Sequence, residues 1–130
     1  MDRYVIPVKT TRQSEFINIT LQIEKQLQNI GLTEGVITIY VPHTTAGVII
    51  NESADPAVVS DVEMWLQRTV PEGLHYRHLE GNSPAHIKSI LIGSSVRVGL
   101  KNGKLLLGTW QGIFFGEFDG PRSREVYLLV

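Results

Sequence analysis

The chain contains no cysteine, which removes disulfide staples, thiolate zinc sites and cysteine nucleophiles together. Any metal it holds must be bound through His, Asp or Glu. Long hydrophobic runs are missing as well. Segments such as Leu105-Leu106-Leu107 fall far short of the roughly 20 apolar residues that a membrane helix needs, so no membrane span is expected. The opening Met1-Asp2-Arg3-Tyr4 carries no apolar stretch of secretory length, and with the lack of cysteine this leads to the expectation of a cytoplasmic protein. An excess of charge of either sign is also lacking. Twelve Lys and Arg stand against thirteen Asp and Glu, for a net charge of −1, and the basic residues form no run. That distribution gives no electrostatic footprint for a nucleic acid.

What is present suits one packed domain spanning residues 1–130. A hydrophobic share of 42% with 19% charged residues lies far from the compositions that stay disordered. A chain of 130 residues leaves little over for a second core. No internal repeat or low-complexity tract interrupts it.

Periodicity divides the chain into elements. Tyr4, Val5, Ile6 and Val8 mark a strand over 3–9, and a polar turn at Thr10–Gln13 leads to a short strand near Glu15–Ile17, a pair that reads as a hairpin. Ile19, Ile23, Leu27 and Ile30 repeat at helical spacing, with Asn18 placed to cap the start and Gly31 to end it. The β-branched run Val36–Val41 is a strand closed by Pro42, and Val48–Ile50 is another. Asp55-Pro56 opens a second helix with Val58, Val62, Trp65 and Leu66 on its apolar face, ended by Pro71. Ser83-Pro84 repeats that signal for a short helix up to Gly93. Asn102-Gly103 between Val96–Leu100 and Leu105–Thr109 is a type I′ hairpin signal, and Ile113–Phe118 and Val126–Val130 complete the set. The order predicts an α+β fold of mainly antiparallel, sandwich-like sheets with about three helices.

Polar side chains gather where strands end, the places where a scaffold presents a site. His43 follows a strand directly, with the hydroxyls of Thr44 and Thr45 beside it and Asn51-Glu52 one strand further on; these either serve a site or merely satisfy a turn. His78 and His86 are separated by a Gly/Asn/Pro-rich bend that lets two imidazoles converge. With His43 they supply the three nitrogen ligands of an open zinc site, although no His-Glu-x-x-His signature is present. His75 reads as a surface residue. Asp61 lies beside the apolar stripe of the second helix, as a site residue or as the partner of a buried arginine. Arg122 and Arg124 are two apart, hence on one strand face, and two adjacent guanidinium groups call for an anion between them or for a solvated edge. In Gly108-Thr109-Trp110-Gln111-Gly112, glycines bracket an aromatic and an amide, which fits a flat ligand or a packing contact.

Taken as a set, His43-Thr44-Thr45-Ala46, Asn51-Glu52, Asp61, His78, Gly81-Asn82 with Ala85-His86, Ser95, Gly103, Gly108-Thr109-Trp110-Gln111 and Phe118–Arg124 resemble the YjbQ family. Its members are often labelled secondary thiamine-phosphate synthase enzymes. The resemblance implies a compact fold of antiparallel sheets, a homotrimer, and weak capture of a pyrimidine methyl pyrophosphate by a thiazole phosphate with loss of pyrophosphate. On that reading Glu52, Asp61 and His86 are the catalytic groups and His43, His78 and His86 hold a divalent metal ion. Thr44, Thr45, Asn51, Trp110, Gln111, Arg122 and Arg124 then contact a small phosphorylated ligand. Imidazoles favour zinc over magnesium, whereas pyrophosphate chemistry usually employs magnesium held by oxygen. A metal-dependent hydrolase with Glu52 or Asp61 as general base, and a non-catalytic trimer that binds a metal or an anion, are the alternatives.

Overall fold

The computed structural model describes residues 1–130 as eight strands and three helices. In chain order these are β1 (Arg3–Lys9), β2 (Glu15–Asn18), α1 (Thr20–Ile30), β3 (Gly35–Tyr40), β4 (Ala46–Glu52), α2 (Pro56–Thr69), α3 (Ser83–Ile92), β5 (Ser95–Lys101), β6 (Lys104–Leu105), β7 (Gln111–Glu117) and β8 (Ser123–Leu129). One sheet has the order β1-β8-β3-β5-β6 and the other β2-β7-β4, and every pairing is antiparallel. The α+β expectation holds.

The core lies between the sheets and under α1. Ile6 and Val126 from the first sheet, Val48 and Phe115 from the second, Ile23 and Leu27 from α1 and Ile19 at its N-cap are all buried in it. Alternation along each strand sends one side chain in two to this interior. The helical stripe read from the sequence is thus the buried face of α1, which ends at Gly31 in the left-handed conformation (φ 69°) that a glycine tolerates. Asn18 acts one step before the helix, its Oδ1 accepting from the Thr20 N–H at 3.0 Å. Asp55 caps α2 as expected, accepting from the Ala57 N–H at 2.9 Å. Asn102 and Gly103 both take positive φ and close the β5–β6 hairpin.

Two expectations are corrected. Residues 3–9 and 15–18 form no hairpin with each other: β1 pairs with β8 and β2 with β7, in different sheets. The carboxylate of Glu15 accepts from the N–H groups of Thr11 and Arg12 at 2.7 and 2.9 Å, which turns the chain from one sheet to the other. The strand expected over 105–109 is only Lys104–Leu105, because Gly108 N–H donates to Gln111 Oε1 at 2.8 Å and folds the chain into a turn. The short helix expected up to Gly93 stands as α3, which presents Pro84, Ala85, Lys88 and Ser89 inward and leaves Ile90 and Leu91 exposed, the reverse of an ordinary amphipathic helix.

Candidate functional site

Two crossovers between the sheets meet at one end of the sandwich. Val41–Thr45 carries the chain from β3 to β4, and Phe118–Arg122 carries it from β7 back to β8. The first turn of α3 forms the third wall. Between them is a cavity of about 370 Å³ lined by His43, Thr44, Thr45, His86, Arg122 and Arg124, with Pro42, Glu80, Asn82 and Asp119 completing it and no hydrophobic side chain.

His43 is placed by the end of a β ladder. Strand β3 pairs with β8 only from Tyr127 to Leu129, so the Glu125 backbone lies beyond the shared ladder and meets the imidazole instead. Its N–H donates to His43 Nε2 at 3.0 Å. The Glu125 carbonyl oxygen lies 3.1 Å from the same Nε2, so the Glu125 backbone engages that nitrogen in either tautomer, as acceptor or as donor. Burial holds the His43 pKa below the usual histidine value, with the Arg124 charge acting in the same direction; the Glu125 carbonyl and the carboxylates of Glu117 and Glu125 oppose this without reversing it.

Arg124 forms the floor. Its side chain is 7% exposed and pairs with Glu117, which is fully buried. Nε donates to Glu117 Oε1 at 2.9 Å, and Nη2 donates to Thr45 Oγ1 at 2.8 Å as well as to the carboxylate. The Thr10 hydroxyl donates to Glu117 at 2.8 Å and the Phe118 and Asp119 N–H groups at 3.1 and 3.2 Å, so the buried carboxylate is fully hydrogen-bonded. Arg122 is held differently, at the exposed rim. Its Nε donates to the Asp119 carbonyl at 2.7 Å and its Nη2 to Asp119 Oδ2 at 3.0 Å, an oxygen that also accepts from Asn82 Nδ2. Beside the anion or the solvated edge expected of two adjacent guanidinium groups, the structure supplies each with a carboxylate of the protein. Both arginines line one cavity, but each already faces a carboxylate.

The three-imidazole metal centre is not assembled. His78 and His86 meet edge to face with ring centroids 5.3 Å apart, and His86 shares the cavity with His43. No three His, Asp or Glu side chains are placed to close on one ion, and His43 Nε2 is occupied by the backbone. His75 is exposed, as expected of a surface residue.

Other candidates lie elsewhere. Glu52 lines a separate cavity of about 400 Å³ together with Arg12, Asp55 and Glu63, over Phe16 and Phe114. Asn51 is exposed and accepts the Glu52 N–H at 2.6 Å. Asp61 is exposed on α2 and forms no ion pair, so it is neither in the cavity nor the partner of a buried arginine. Trp110 is 64% exposed at a turn whose geometry Gln111 fixes. Glu117 was not singled out from sequence, yet a lone carboxylate in the apolar strand Ile113–Phe118, shortly before two arginines, signals a buried ion pair. Asn82 and Asp119 entered only inside family motifs, and Glu80 has no signal beyond its place between His78 and His86.

A family model described as UPF0047 protein YjbQ-like matches residues 4–130. The chain belongs to the YjbQ family. Relatives include the UPF0047 protein MJ1081 of Methanocaldococcus jannaschii, 50% identical over 123 residues, covering 95% of this chain and 89% of that protein. The UPF0047 protein YugU of Bacillus subtilis is 50% identical over 124 residues, covering 95% and 94%. A crystal structure of an uncharacterized conserved protein of this family from Clostridium acetobutylicum superposes with a TM-score of 0.93 at 46% identity, covering 98% of this chain and 99% of that one. A YbjQ-like protein of unknown function from Sulfolobus solfataricus gives 0.90 at 31% identity, covering 98% and 94%. The likeness over whole chains shows the YjbQ fold.

Proposed function

We propose that the chain is an enzyme that binds a small phosphorylated compound in the cavity between the two crossovers. The reaction is of the weak thiamine-phosphate synthase kind, in which a pyrimidine methyl pyrophosphate loses pyrophosphate and a thiazole phosphate captures the remaining fragment. The observation that carries this reading is the lining: two arginines, two imidazoles and two threonines converge in a cavity with no hydrophobic side chain. Departure of pyrophosphate places charge on oxygen, and fixed donors aimed at that oxygen stabilise it. Arg122 has Nε and Nη2 committed to Asp119, which orients the guanidinium and leaves Nη1 for the ligand. The His43 ring has Nε2 engaged by the Glu125 backbone, which leaves Nδ1 for the ligand, and Thr44, exposed at the mouth, offers a hydroxyl. Arg124 serves as the rigid base on which these groups stand. His86 is the titratable group suited to exchange a proton with the leaving oxygen. The residues as placed do not fit a three-ligand zinc centre, and no step here uses one.

Assembly as a homotrimer belongs to the same proposal. It is supported by Trp110, Ile90 and Leu91, large apolar side chains that are more than half exposed in the single chain.

Incubating the protein with the pyrimidine pyrophosphate and the thiazole phosphate, and following the coupled product and pyrophosphate by chromatography, tests the reading. Coupled product that falls at least tenfold in Arg122→Ala supports it. Release of orthophosphate without coupling indicates a hydrolase, and binding without turnover indicates a carrier; either overturns the synthase assignment.

A further inference from the structure

Lys88 is 6% exposed, on the inward face of α3. A buried ammonium group is costly unless a carboxylate or several acceptors replace the water it gave up. Lys88 has neither. It takes part in none of the five ion pairs and donates no side-chain hydrogen bond within the protein. Nor is its nitrogen among the polar atoms sealed from the surface without a partner, a condition met by Asn82 Oδ1 alone. The stem is packed while the charge opens into a cavity.

That cavity, of about 250 Å³, shares no lining residue with the one between the crossovers and is lined in part by Phe118. Around Lys88 it offers the Ser14 hydroxyl, the side-chain amides of Gln13 and Gln67, and the apolar flanks of Val70 and Phe118. Phe118 and Val70 are 3% and 5% exposed, so one side of the cavity is apolar and shielded. Gln13 is held by its carbonyl, which accepts the Gly120 N–H at 2.9 Å. Glu72 also lines the cavity but is exposed and more than 4.0 Å from any cation, so it is a rim charge and not the partner of Lys88.

We propose that this cavity is a second binding site, for a small organic monoanion carrying a carboxylate. Lys88 Nζ and the Ser14 hydroxyl take the carboxylate oxygens, the two glutamine amides supply further donors, and the short apolar part of the ligand lies against Phe118 and Val70. A single unopposed cation suits one negative charge, and Glu72 at the rim disfavours a phosphate dianion by like-charge repulsion. The shared backbone of Phe118 and Asp119 joins this site to the first cavity, since Asp119 orients Arg122 there.

Titration of the intact protein with sodium propionate, at ionic strength held constant with sodium chloride, tests the site by calorimetry and by thermal midpoint. The wild type should bind one propionate per chain and melt at a higher temperature in its presence. Lys88→Met, which keeps the packed stem and removes the charge, should weaken propionate at least tenfold. Arg122→Ala should leave it within twofold, and Glu72→Gln should tighten it severalfold. The wild-type titration stands whether or not any variant folds: no saturable binding by the wild type overturns the site. Equal propionate affinity in Lys88→Met overturns the role of the lysine. Lost propionate binding together with a lower melting temperature in Glu72→Gln makes Glu72 the counter-ion of Lys88, and the site falls.

Discussion

Substituting Glu117 by Gln keeps the shape of the side chain and removes its charge. The carboxylate accepts from Arg124, Thr10 and the N–H groups of Phe118 and Asp119 in a position with no exposure at all. Glutamine has one acceptor oxygen and an NH₂, so whichever way the amide turns, its donor faces another donor. Arg124, with its side chain 7% exposed, is left charged and unpaired. Breaking one side of such a buried pair costs about 3–5 kcal/mol. Against a total stability of about 5–15 kcal/mol for an ordinary domain, this is a large fraction. The expected fall in melting temperature is on the order of 10–20 °C, from the few degrees per kcal/mol typical of this size. Urea unfolding followed by tryptophan fluorescence measures the loss, with Arg124→Met and Glu117→Gln/Arg124→Met as companions. With Arg124 gone, the amide oxygen can accept from the Phe118 and Asp119 N–H groups while its NH₂ faces the Thr10 hydroxyl, so the double variant should lose less than the sum of the two single losses, a non-additivity that only coupled groups show. A Glu117→Gln protein within about 1 kcal/mol of wild type, the worth of an ordinary hydrogen bond, would refute the argument.

Acid should unfold the protein through two groups acting in the same direction. For Glu15, burial raises the pKa but the Thr11 and Arg12 N–H groups, the Arg12 charge and the Thr11 hydroxyl outweigh it, so the folded value is lowered. Its contribution is present above the free carboxylate range and is lost as pH falls through the lowered value. His43 is likewise lowered, so below the ordinary value of about 6.5 the unfolded chain takes up the proton first and stability falls towards the folded value. Melting temperatures from pH 8 to pH 3 should decrease monotonically on acidification, and the portion between pH 6.5 and the lowered His43 value should vanish in His43→Gln. Gly120→Ala should destabilise by about 1–3 kcal/mol in urea unfolding, as overpacking does, because the added methyl would meet the Arg12 carbonyl oxygen at 2.3 Å. If the proposed trimer forms, light scattering should give the wild type a mass near three chains and Trp110→Ala a mass closer to one 14.5 kDa chain. The substitution should alter single-chain stability little, since this tryptophan is 64% exposed and leaves no core cavity.

Local chemistry was legible in the sequence and long-range pairing was not. The stripe Ile19, Ile23, Leu27, the Asp55-Pro56 cap and the Asn102-Gly103 turn are each fixed within a few residues, and each stands in the structure. The partnership of β1 with β8 joins residues more than a hundred positions apart, and no periodicity encodes it. Strand spacing alone paired β1 with β2 because neighbours in sequence usually pair. In α3 the same blindness acts on orientation. The pattern marks Ile87, Ile90 and Leu91 as apolar, but only the packing of Ala85 beside Leu66 and Phe118 decides which face turns inward. For the site, His43, Thr45, His86 and the two arginines were found because loop-borne polar residues near strand ends are conspicuous. Glu117 and Asp119 were not, since a carboxylate that neutralises an arginine is recognised by proximity, which the fold creates. Glu52, Asn51 and Trp110 share the chain region of the site residues without sharing the cavity.

The most direct test of the central claim is a titration of the isotopically labelled protein with inorganic pyrophosphate, following the imidazole and guanidinium resonances. The account predicts that saturation shifts His43, His86 and Arg122 together. It also predicts that Arg122→Ala weakens binding by about 1.5–3 kcal/mol, the range of a charge-assisted hydrogen bond, on a fold that stays intact. Shifts confined to other residues, or an affinity that Arg122→Ala leaves unchanged, would contradict it.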